Sequence, residues 1–480
     1  MHRLLLAALP LLVALPAEAH ADPVTPDQLR RHIEVLASDA FEGRQPGTAG
    51  ESKTLVYIAT QLRALGLEPA ARNGAWYQPV PLVERAPFAH RALWNAAGVP
   101  IALDQEDLVL VGRGPQEALL DAPVHFVGHG LASQIAGIDL HGGIALLLQA
   151  QPLTGEAPSY GERARALVEA GAAAVIAVYA DDVPWSAVTD QFAHGGTRLQ
   201  SEAVPRIAGA MPAAAAQRLV EASGRTFDPA RAETSVARAS IEVSSRVRAY
   251  ESHNLVARLA GSGKGRDSVL ILAHWDHLGL CRPEGAPDRI CNGAVDNASG
   301  IAMLIEAARG LARGDRPKRD ILFLATTAEE MGLLGAAHFA AEPTVPLPSI
   351  AAAVNLDTVA IAPKGEPVAV IGRGNAPLDT AIAKSVENAG RRLDTDGEAD
   401  VMVQRQDGWA LAKRGVPTVM VGGSFSDMGK LTAFLRGPYH APDDDLSREI
   451  VLDGAAEDTD LLIGLARRLA DPKRYKPSRR

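Results

Sequence analysis

From residue 250 onwards, short apolar runs alternate with longer stretches whose apolar residues recur at helical spacing. The runs SVLILA, DILFLATT and SIAAAVNLD are bounded by polar or turn residues, which is typical of strands covered on both faces. The helical stretch SGIAMLIEAARGLARG separates the first two, and PVAVIG and PTVMVG follow the third. This alternation predicts a mainly parallel, mixed α/β sheet flanked by helices, with any site at the carboxyl ends of its strands.

Two amphipathic helices are predicted near the N-terminus. In TPDQLRRHIEVLAS the residues Leu29, Ile33 and Leu36 share one helical face, and SKTLVYIATQLRALG has the same spacing. The segment between them, DAFEGRQPGTAG, contains the Gly and Pro residues of a loop.

The pattern changes between about residues 118 and 245. Short strand-like runs, VHFVGHGL, GGIALLLQA, AAAVIAVYA and VPRIAGA, surround one helix-like segment, GERARALVEAG. We therefore predict a main domain formed by residues 22–117 and 246–480, interrupted by a compact β-rich insert at residues 118–245.

The N-terminal segment has the order of a signal peptide. MHR supplies a positive start, LLLAALPLLVALP a short apolar core and AEAHA a small-residue cleavage site, so we expect removal of residues 1–21 and a periplasmic or secreted protein. No later stretch reaches ~18 uninterrupted apolar residues, which predicts no membrane span. A net charge of −9 indicates no nucleic-acid partner. No oligomeric state is predicted.

Cys281 and Cys291 are the two cysteines of the chain. In an oxidising compartment, a pair this close in sequence predicts a disulfide across one loop. A metal site is the alternative, but no second pair of thiolates accompanies them.

Acidic residues and histidines cluster where the predicted strands end. AHWDH follows the first strand, TTAEE follows the second and NLD ends the third, while GAVDNASG and GPYHAPDDD contribute one candidate each. The candidates are His274, Asp276, Asp296, Glu329, Glu330, Asp357 and His440. Carboxylates forced together repel one another unless a cation neutralises them. The cluster therefore predicts a metal site.

The donor types indicate the metal. Imidazole and carboxylate ligands suit Zn²⁺ best, with Co²⁺ or Mn²⁺ as substitutes. The candidates exceed the three protein ligands usual for one catalytic zinc, and they match two ions about 3.5 Å apart that share a bridging carboxylate. We therefore expect two zinc ions per chain.

Geometry assigns roles within the short motifs. If the first strand continues, His274 and Asp276 point to one side and His277 points away, so we assign His274 to metal, Asp276 to orienting its ring, and His277 to packing or a turn. The adjacent Glu329 and Glu330 cannot point the same way, so one binds metal and the other is a general base. An N-terminal cap on the helix MGLLGAAHF is the alternative for this pair.

The motifs AHWDHLG, GAVDNASG, AEEMGLLG, NLDTV and YHAPDDD resemble, in this order, those of the M28 zinc peptidases, the aminopeptidase group with co-catalytic zinc. The resemblance extends to HIEVLASDAFEGRQPGTAG, and the insert, with VHFVGHG and DLHGGIALLL, resembles a protease-associated domain. It implies a zinc-peptidase fold of the phosphorylase/hydrolase-like type and hydrolysis of N-terminal residues from peptide substrates.

The resemblance also implies individual roles. The implied ligands are His274 and Asp357 for one zinc, Glu330 and His440 for the other, and Asp296 as the bridge. Glu329 is the implied general base and Asp276 the partner of His274. A cis peptide between Asp296 and Asn297 is implied as well.

Two segments depart from the family pattern. A Ser-Asp-His run in many relatives is RQDGWALAKRGVP here, with Gly408 after Asp407, and GGSFSDMGKLTAFLRGPYH is peculiar to this chain. Both are expected near the substrate pocket. Trp409 and Tyr439 are candidates to line that pocket, although a buried aromatic ring is the commoner fate of either.

Two other functions compete with hydrolysis by an aminopeptidase. One is a glutaminyl-cyclase-like acyl transfer that works with one zinc, and the other is a non-catalytic binding protein that uses the insert as its interaction module. A carboxypeptidase would need a cationic pocket, for which Arg405 and Arg436 are isolated candidates.

Overall fold

A computed structural model describes residues 22–151 and 158–478, so the predicted signal peptide lies outside the described residues. The described chain divides into two compact units. The first comprises the residues up to Gln78 and from His253 onwards, and the second comprises Pro79–Ser252. The second unit contains the predicted insert but begins earlier than residue 118, because the strand that starts at Tyr77 continues to Ala96.

Helices and strands follow one another along the described residues. The helices are α1 (Pro26–Leu36), α2 (Ala49–Ala64), α3 (Ala132–Ile135), α4 (Tyr160–Glu169), α5 (Trp185–Ala193), α6 (Ala213–Ala222), α7 (Ser299–Arg313), α8 (Leu334–Ala341), α9 (Ala376–Asn388), α10 (Gly408–Ala412), α11 (Met428–Arg436) and α12 (Leu452–Leu469). The strands are β1 (Glu68–Pro69), β2 (Tyr77–Ala96), β3 (Val99–Ile101), β4 (Val109–Gly112), β5 (Gln116–Phe126), β6 (Ile144–Leu148), β7 (Ala174–Tyr179), β8 (Gly196–Leu199), β9 (Ile207–Pro212), β10 (Glu233–Leu259), β11 (Ser268–His274), β12 (Gly279–Leu280), β13 (Ile290–Cys291), β14 (Asp320–Thr326), β15 (Ile350–Asn355), β16 (Ala369–Ile371) and β17 (Thr418–Gly422).

The first unit is built on a mixed, mostly parallel sheet. Its strand order is β16-β17-β15-β11-β14-β10. The strands β17, β15, β11 and β14 run parallel, whereas β16 and the part of β10 in this unit run antiparallel to their neighbours. The predicted fold class is therefore confirmed.

Successive residues of β11 face two different apolar cores. Val269 and Ile271 pack in one core with residues of α1, α7 and α12, and Leu270 and Leu272 pack in another that contains Phe339. Because side chains alternate along a strand, a strand covered on both faces must be apolar throughout. This explains why SVLILA shows no polar alternation.

In the second unit the strand order is β10-β5-β6-β7-β9-β4. The pairs β5–β6, β6–β7 and β7–β9 are parallel, and β10 and β4 run antiparallel to β5 and β9. The predicted strand-like runs of this region correspond to β5, β6, β7 and β9, and α4 is the predicted helix. The identity of this unit as a protease-associated domain stays a prediction.

The sheet of the first unit brings its strand ends together at one edge. In the pairing of β11 with β14, His274 lies opposite Thr326, and in the pairing with β15, Leu272 lies opposite Asn355. Residues that directly follow these strands therefore meet outside their carboxyl ends, where open α/β sheets place their sites.

Candidate metal centre

One group of potential metal ligands gathers around His274. Its Nε2 atom lies 3.3 Å from Asp296 Oδ1 and 3.4 Å from Asp357 Oδ1. Asp296 belongs to the turn Ala294–Ala298 before α7, and its peptide bond to Asn297 is cis, as the family resemblance implies. All three side chains are buried.

Hydrogen bonds link the loops that carry these ligands. The backbone N–H of Thr358 donates to Asn297 Oδ1 over 3.4 Å. Asn297 Nδ2 donates to the Leu356 carbonyl over 2.9 Å. The loop after β15 and the turn before α7 are thus held against each other, which fixes the separation of Asp296 and Asp357.

A second group gathers around Glu330. Its Oε1 atom lies 2.6 Å from His277 Nδ1, and its Oε2 atom lies 2.8 Å from His440 Nε2. His440 Nε2 is also 3.4 Å from Asp296 Oδ2. Ligand atoms of His277, Asp296 and Glu330 all lie within 4.8 Å of one another, as do those of His274, Asp296 and Asp357. Asp296 therefore belongs to both groups.

The assignment of His277 to packing or a turn is wrong. Strand β11 ends at His274, so side-chain alternation does not continue to residue 277, and the His277 ring turns towards Glu330. The side chain of His277 is 0% exposed, whereas that of His440 is 36% exposed. His277 thus contacts Glu330 from the protein interior, and His440 contacts it from a partly exposed position.

Asp276 contacts the glutamate pair as well as His274. Its carboxylate accepts hydrogen bonds from the backbone N–H groups of Glu329, over 3.1 Å, and Glu330, over 3.4 Å. Its Oδ1 atom is 3.9 Å from His274 Nδ1. Burial raises the pKa of Asp276 to about 8. Helix α8 begins only at Leu334, so the glutamates lie before its first turn and do not cap it.

The electrostatics of the centre favour a cation. Burial opposes protonation of His274, yet the carboxylates of Glu329 and Asp357 raise its pKa well above the usual value. Burial likewise disfavours the ionised form of Asp296, yet hydrogen bonds with His274 and His440 hold its pKa well below the usual range. The buried carboxylates therefore stabilise a positive charge among them, and carboxylate oxygens together with imidazole nitrogens are ligands that suit zinc.

Glu329 is placed differently from Glu330. Burial raises its pKa well above the usual value, and nearby carboxylates, chiefly that of Asp357, add to the effect. Glu329 also lines a cleft of about 430 Å³ that opens next to Asp296 and Asp357. A carboxylate that readily accepts a proton at the wall of a cleft has the properties of a general base.

The cleft is apolar away from the carboxylates. Its apolar wall consists of Met402, Met420, Phe425, Leu431, Leu435 and the ring of Tyr439. Tyr439 stacks on His440 with ring centroids 3.7 Å apart. The segments that depart from the family pattern supply most of this wall, so the shape of the cleft depends on them.

Gly408, which follows Asp407 in the departing segment, leaves no room for a side chain. A Cβ atom at this position would lie 2.4 Å from Thr418 Cγ2. The preceding Asp407 is buried and accepts a hydrogen bond from the Thr326 hydroxyl, and burial raises its pKa to about 6. The departure thus alters the packing behind the centre and leaves the ligand groups in place.

Sequence reasoning left two buried charged residues without a role. Asp444 lies within the motif YHAPDDD, and Arg44 lies within the loop DAFEGRQPGTAG. Both are essentially inaccessible to solvent. In the sequence, an arginine in a Gly/Pro loop and one aspartate in a run of three look like ordinary solvent-exposed charges. Only the contacts of the folded chain show that these two are buried.

The cysteine prediction is confirmed, since Cys281 and Cys291 form a disulfide. The bridge closes the loop between β12 and β13, which separates His277 from the turn that contains Asp296.

Comparisons with known proteins give a consistent fold and family. The aminopeptidase from Aneurinibacillus sp. strain AM-1 superimposes with a TM-score of 0.55 at 20% identity, over 95% of each chain. A probable zinc metalloprotease of Pyrenophora tritici-repentis is 46% identical over 105 residues, and a vacuolar membrane protease of Candida dubliniensis is 34% identical over 94 residues. These two matches span 22% and 20% of this chain, but only 24% and 9% of the respective relatives.

The prediction of a periplasmic or secreted protein is contradicted by these relatives, several of which are named vacuolar membrane proteases. The prediction rested on residues 1–21. A positive start followed by a short apolar run directs a chain to a membrane, but it does not specify which compartment lies beyond it. Within the described ranges, no helix is long and apolar enough to cross a bilayer.

The sequence profile of peptidase family M28 matches residues 254–465. This range contains both ligand groups, Glu329 and the wall of the cleft. Residues 254–465 therefore form a peptidase family M28 domain, which confirms the resemblance of its motifs and the prediction of an enzyme of this family.

Proposed function

We propose that the chain is a zinc-dependent aminopeptidase that holds two zinc ions, with ligands His274 and Asp357 on one side, Glu330 and His440 on the other, and Asp296 between them. One observation carries the proposal. Asp296 is shared by two groups of ligand atoms, and the free carboxylate of Glu329 lines the cleft beside them. A bridging carboxylate is the arrangement that two-metal hydrolases use.

The residues divide the chemistry among them. Zinc, when bound, lowers the pKa of water towards ~7 and polarises the scissile carbonyl. Glu329 accepts the proton of the attacking water and returns it to the nitrogen of the leaving amine, so the peptide C–N bond breaks and no net proton is consumed at this residue. Asp276 accepts hydrogen bonds from the backbone N–H groups of Glu329 and Glu330, and so fixes the position of the base, Glu329, relative to the ligand, Glu330.

The cleft supports an exopeptidase that acts at the amino end. The carboxylates of Asp296 and Asp357 line it and attract the cationic amine of a peptide N-terminus. Arg405 is the one cationic residue that lines the cleft as described, and it stands alone. The apolar wall favours an N-terminal residue with an apolar side chain, such as leucine or methionine, over a charged one.

The first test measures zinc per chain and the release of dye from a panel of aminoacyl chromogenic substrates, before and after chelation. We expect about two zinc ions per chain, chelator-sensitive release, and a preference for apolar aminoacyl groups. Zinc added back should restore release. A carboxyl-blocked and an amino-blocked dipeptide, compared in the same assay, separate attack at the amino end from attack at the carboxyl end.

Two outcomes would overturn the proposal. One zinc per chain without release, accompanied by cyclisation of an N-terminal glutamine, would favour the acyl-transfer function. A chain that binds no zinc and releases no dye would favour the non-catalytic binding protein.

His440 and His277 should behave differently when each is replaced by alanine. His440 is partly exposed and stacks on Tyr439, which lines the cleft. As a proposed direct ligand, it should take one ion with it when it is removed, so His440→Ala should lose about one zinc ion per chain. His277 is fully buried and contacts the ligand Glu330, so His277→Ala should keep both ions but bind them about 10- to 100-fold more weakly. Zinc titration of both variants provides the measurement.

The reverse result would reassign the ligand. If His277→Ala loses an ion while His440→Ala retains both, His277 completes the second group and His440 is a residue of the substrate cleft.

A further inference from the structure

Arg44 is a buried arginine whose hydrogen-bond acceptors are backbone carbonyls. Its side chain is 1% exposed. Its Nε donates to Trp275 O over 2.9 Å, and its Nη2 donates to Gly293 O over 2.9 Å. Its Nη1 donates to Leu36 O over 2.7 Å and to Asn292 O over 2.5 Å. One guanidinium thus joins three separate parts of the chain.

Two of these parts carry metal-ligand candidates. Trp275 lies between His274 and Asp276, and Asn292 and Gly293 lead into the turn that contains Asp296. The loop of Arg44 is pressed against the same region. Gly43 has a φ of +63°, and a Cβ atom there would lie 2.4 Å from Cys291 O, so only glycine permits this approach.

Asp444 holds the same turn through its amides. Its Oδ1 accepts from Val295 N over 2.9 Å and its Oδ2 accepts from Asp296 N over 3.0 Å. The backbone carbonyl of Asp444 accepts from Ala294 N over 3.0 Å. Residues 292–296 are therefore held by a cation at their carbonyls and by a carboxylate at their amides.

The charge of Arg44 serves the centre as well as the backbone. Burial lowers its pKa to about 10, and the carboxylates of Asp444 and Asp296 act in the opposite direction, so the group stays protonated at neutral pH. A buried arginine without a carboxylate in direct contact needs well-placed acceptors, and the planar guanidinium provides the fork that four carbonyls require.

We propose that Arg44 and Asp444, here called the Arg44–Asp444 clamp, are positioning residues that fix Asp296 between the two metal-ligand groups. This inference rests on the proposed function. The clamp acts on metal binding through the backbone and touches neither substrate nor the reacting atoms. Removing a residue that supports a metal ligand without touching the metal commonly lowers metal affinity about 10- to 100-fold.

The test compares Arg44→Met, Arg44→Lys and Asp444→Asn with Arg319→Met in the full-length chain. Arg319 is a matched control, because it is also buried and donates to two backbone carbonyls, Leu469 O over 2.7 Å at the end of α12 and Tyr475 O over 3.0 Å beyond it. The readouts are the rate of zinc loss to a chelator, the visible absorption of the cobalt-substituted protein, and the unfolding temperature.

The clamp variants should lose zinc about 10- to 100-fold faster and show an altered cobalt spectrum. Arg319→Met should unfold at a lower temperature with wild-type zinc retention and spectrum. Lysine keeps the charge but lacks the fork, so Arg44→Lys should remain impaired. If Arg44→Met does not fold, Arg44→Lys and Asp444→Asn carry the test.

Wild-type zinc retention and an unchanged cobalt spectrum in Arg44→Lys and Asp444→Asn would overturn the clamp and leave the proposed function intact. A wild-type protein that binds no zinc would instead overturn the proposed function, and the clamp with it.

Discussion

Glu329→Gln should lower kcat by about 10²- to 10⁴-fold, the usual contribution of a positioned general base, while zinc content stays unchanged. Glutamine has nearly the same volume but cannot accept the proton of the attacking water. The backbone N–H of residue 329 still donates to Asp276, so the fold of the glutamate pair should persist. Because Glu329 is assigned no metal, zinc should bind as in the wild type.

The measurement is kcat and KM on the preferred aminoacyl substrate, with zinc determined on the same preparation. Glu306→Gln is a suitable control, since Glu306 is also buried but pairs with His32 over 2.8 Å, away from the ligand groups. This control should lower stability and leave kcat within a few-fold. If Glu329→Gln keeps near-normal kcat with full zinc, another group is the base.

Much of the fold follows from local pattern because the first unit is layered. Strands such as β11 are buried on both faces and therefore carry an unbroken apolar run, which identifies them from the sequence alone. The ends of β11, β14 and β15 must meet at one edge of a parallel sheet, so the pattern of strands is enough to group the residues that follow them. The ligand candidates come together for this reason.

Other features depend on contacts between residues far apart in sequence. The long strands β2 and β10 were not predicted, because β2 contains Pro79, Pro81 and Pro87 and much of its length is partly exposed. The turn of the His277 ring depends on where β11 stops, which the apolar pattern does not specify. The contacts of Arg44 with Trp275 and Asn292 span more than 200 residues in sequence, and no local pattern encodes them.

Asp296→Asn should weaken zinc binding at both ligand groups at once, more than about 100-fold at each, since outer contacts alone account for 10- to 100-fold. Asp296 offers Oδ1 to the His274 group and Oδ2 to the His440 group. An asparagine retains one carbonyl oxygen and replaces the other with an NH₂ donor, so it cannot bridge two cations. Activity should fall below detection, because both ions depend on this residue.

Two other variants are compared with Asp296→Asn. His440→Ala should lose one ion and keep the other, so only Asp296→Asn should abolish the zinc-dependent rise in unfolding temperature that follows from binding to the native state. Asp458→Asn controls for removing a buried carboxylate, since Asp458 pairs with Arg391 over 2.5 Å outside the ligand groups. It should destabilise the fold and bind zinc normally. If Asp296→Asn retains both ions and their stabilising effect, the two groups do not share a bridging ligand and bind their metals independently.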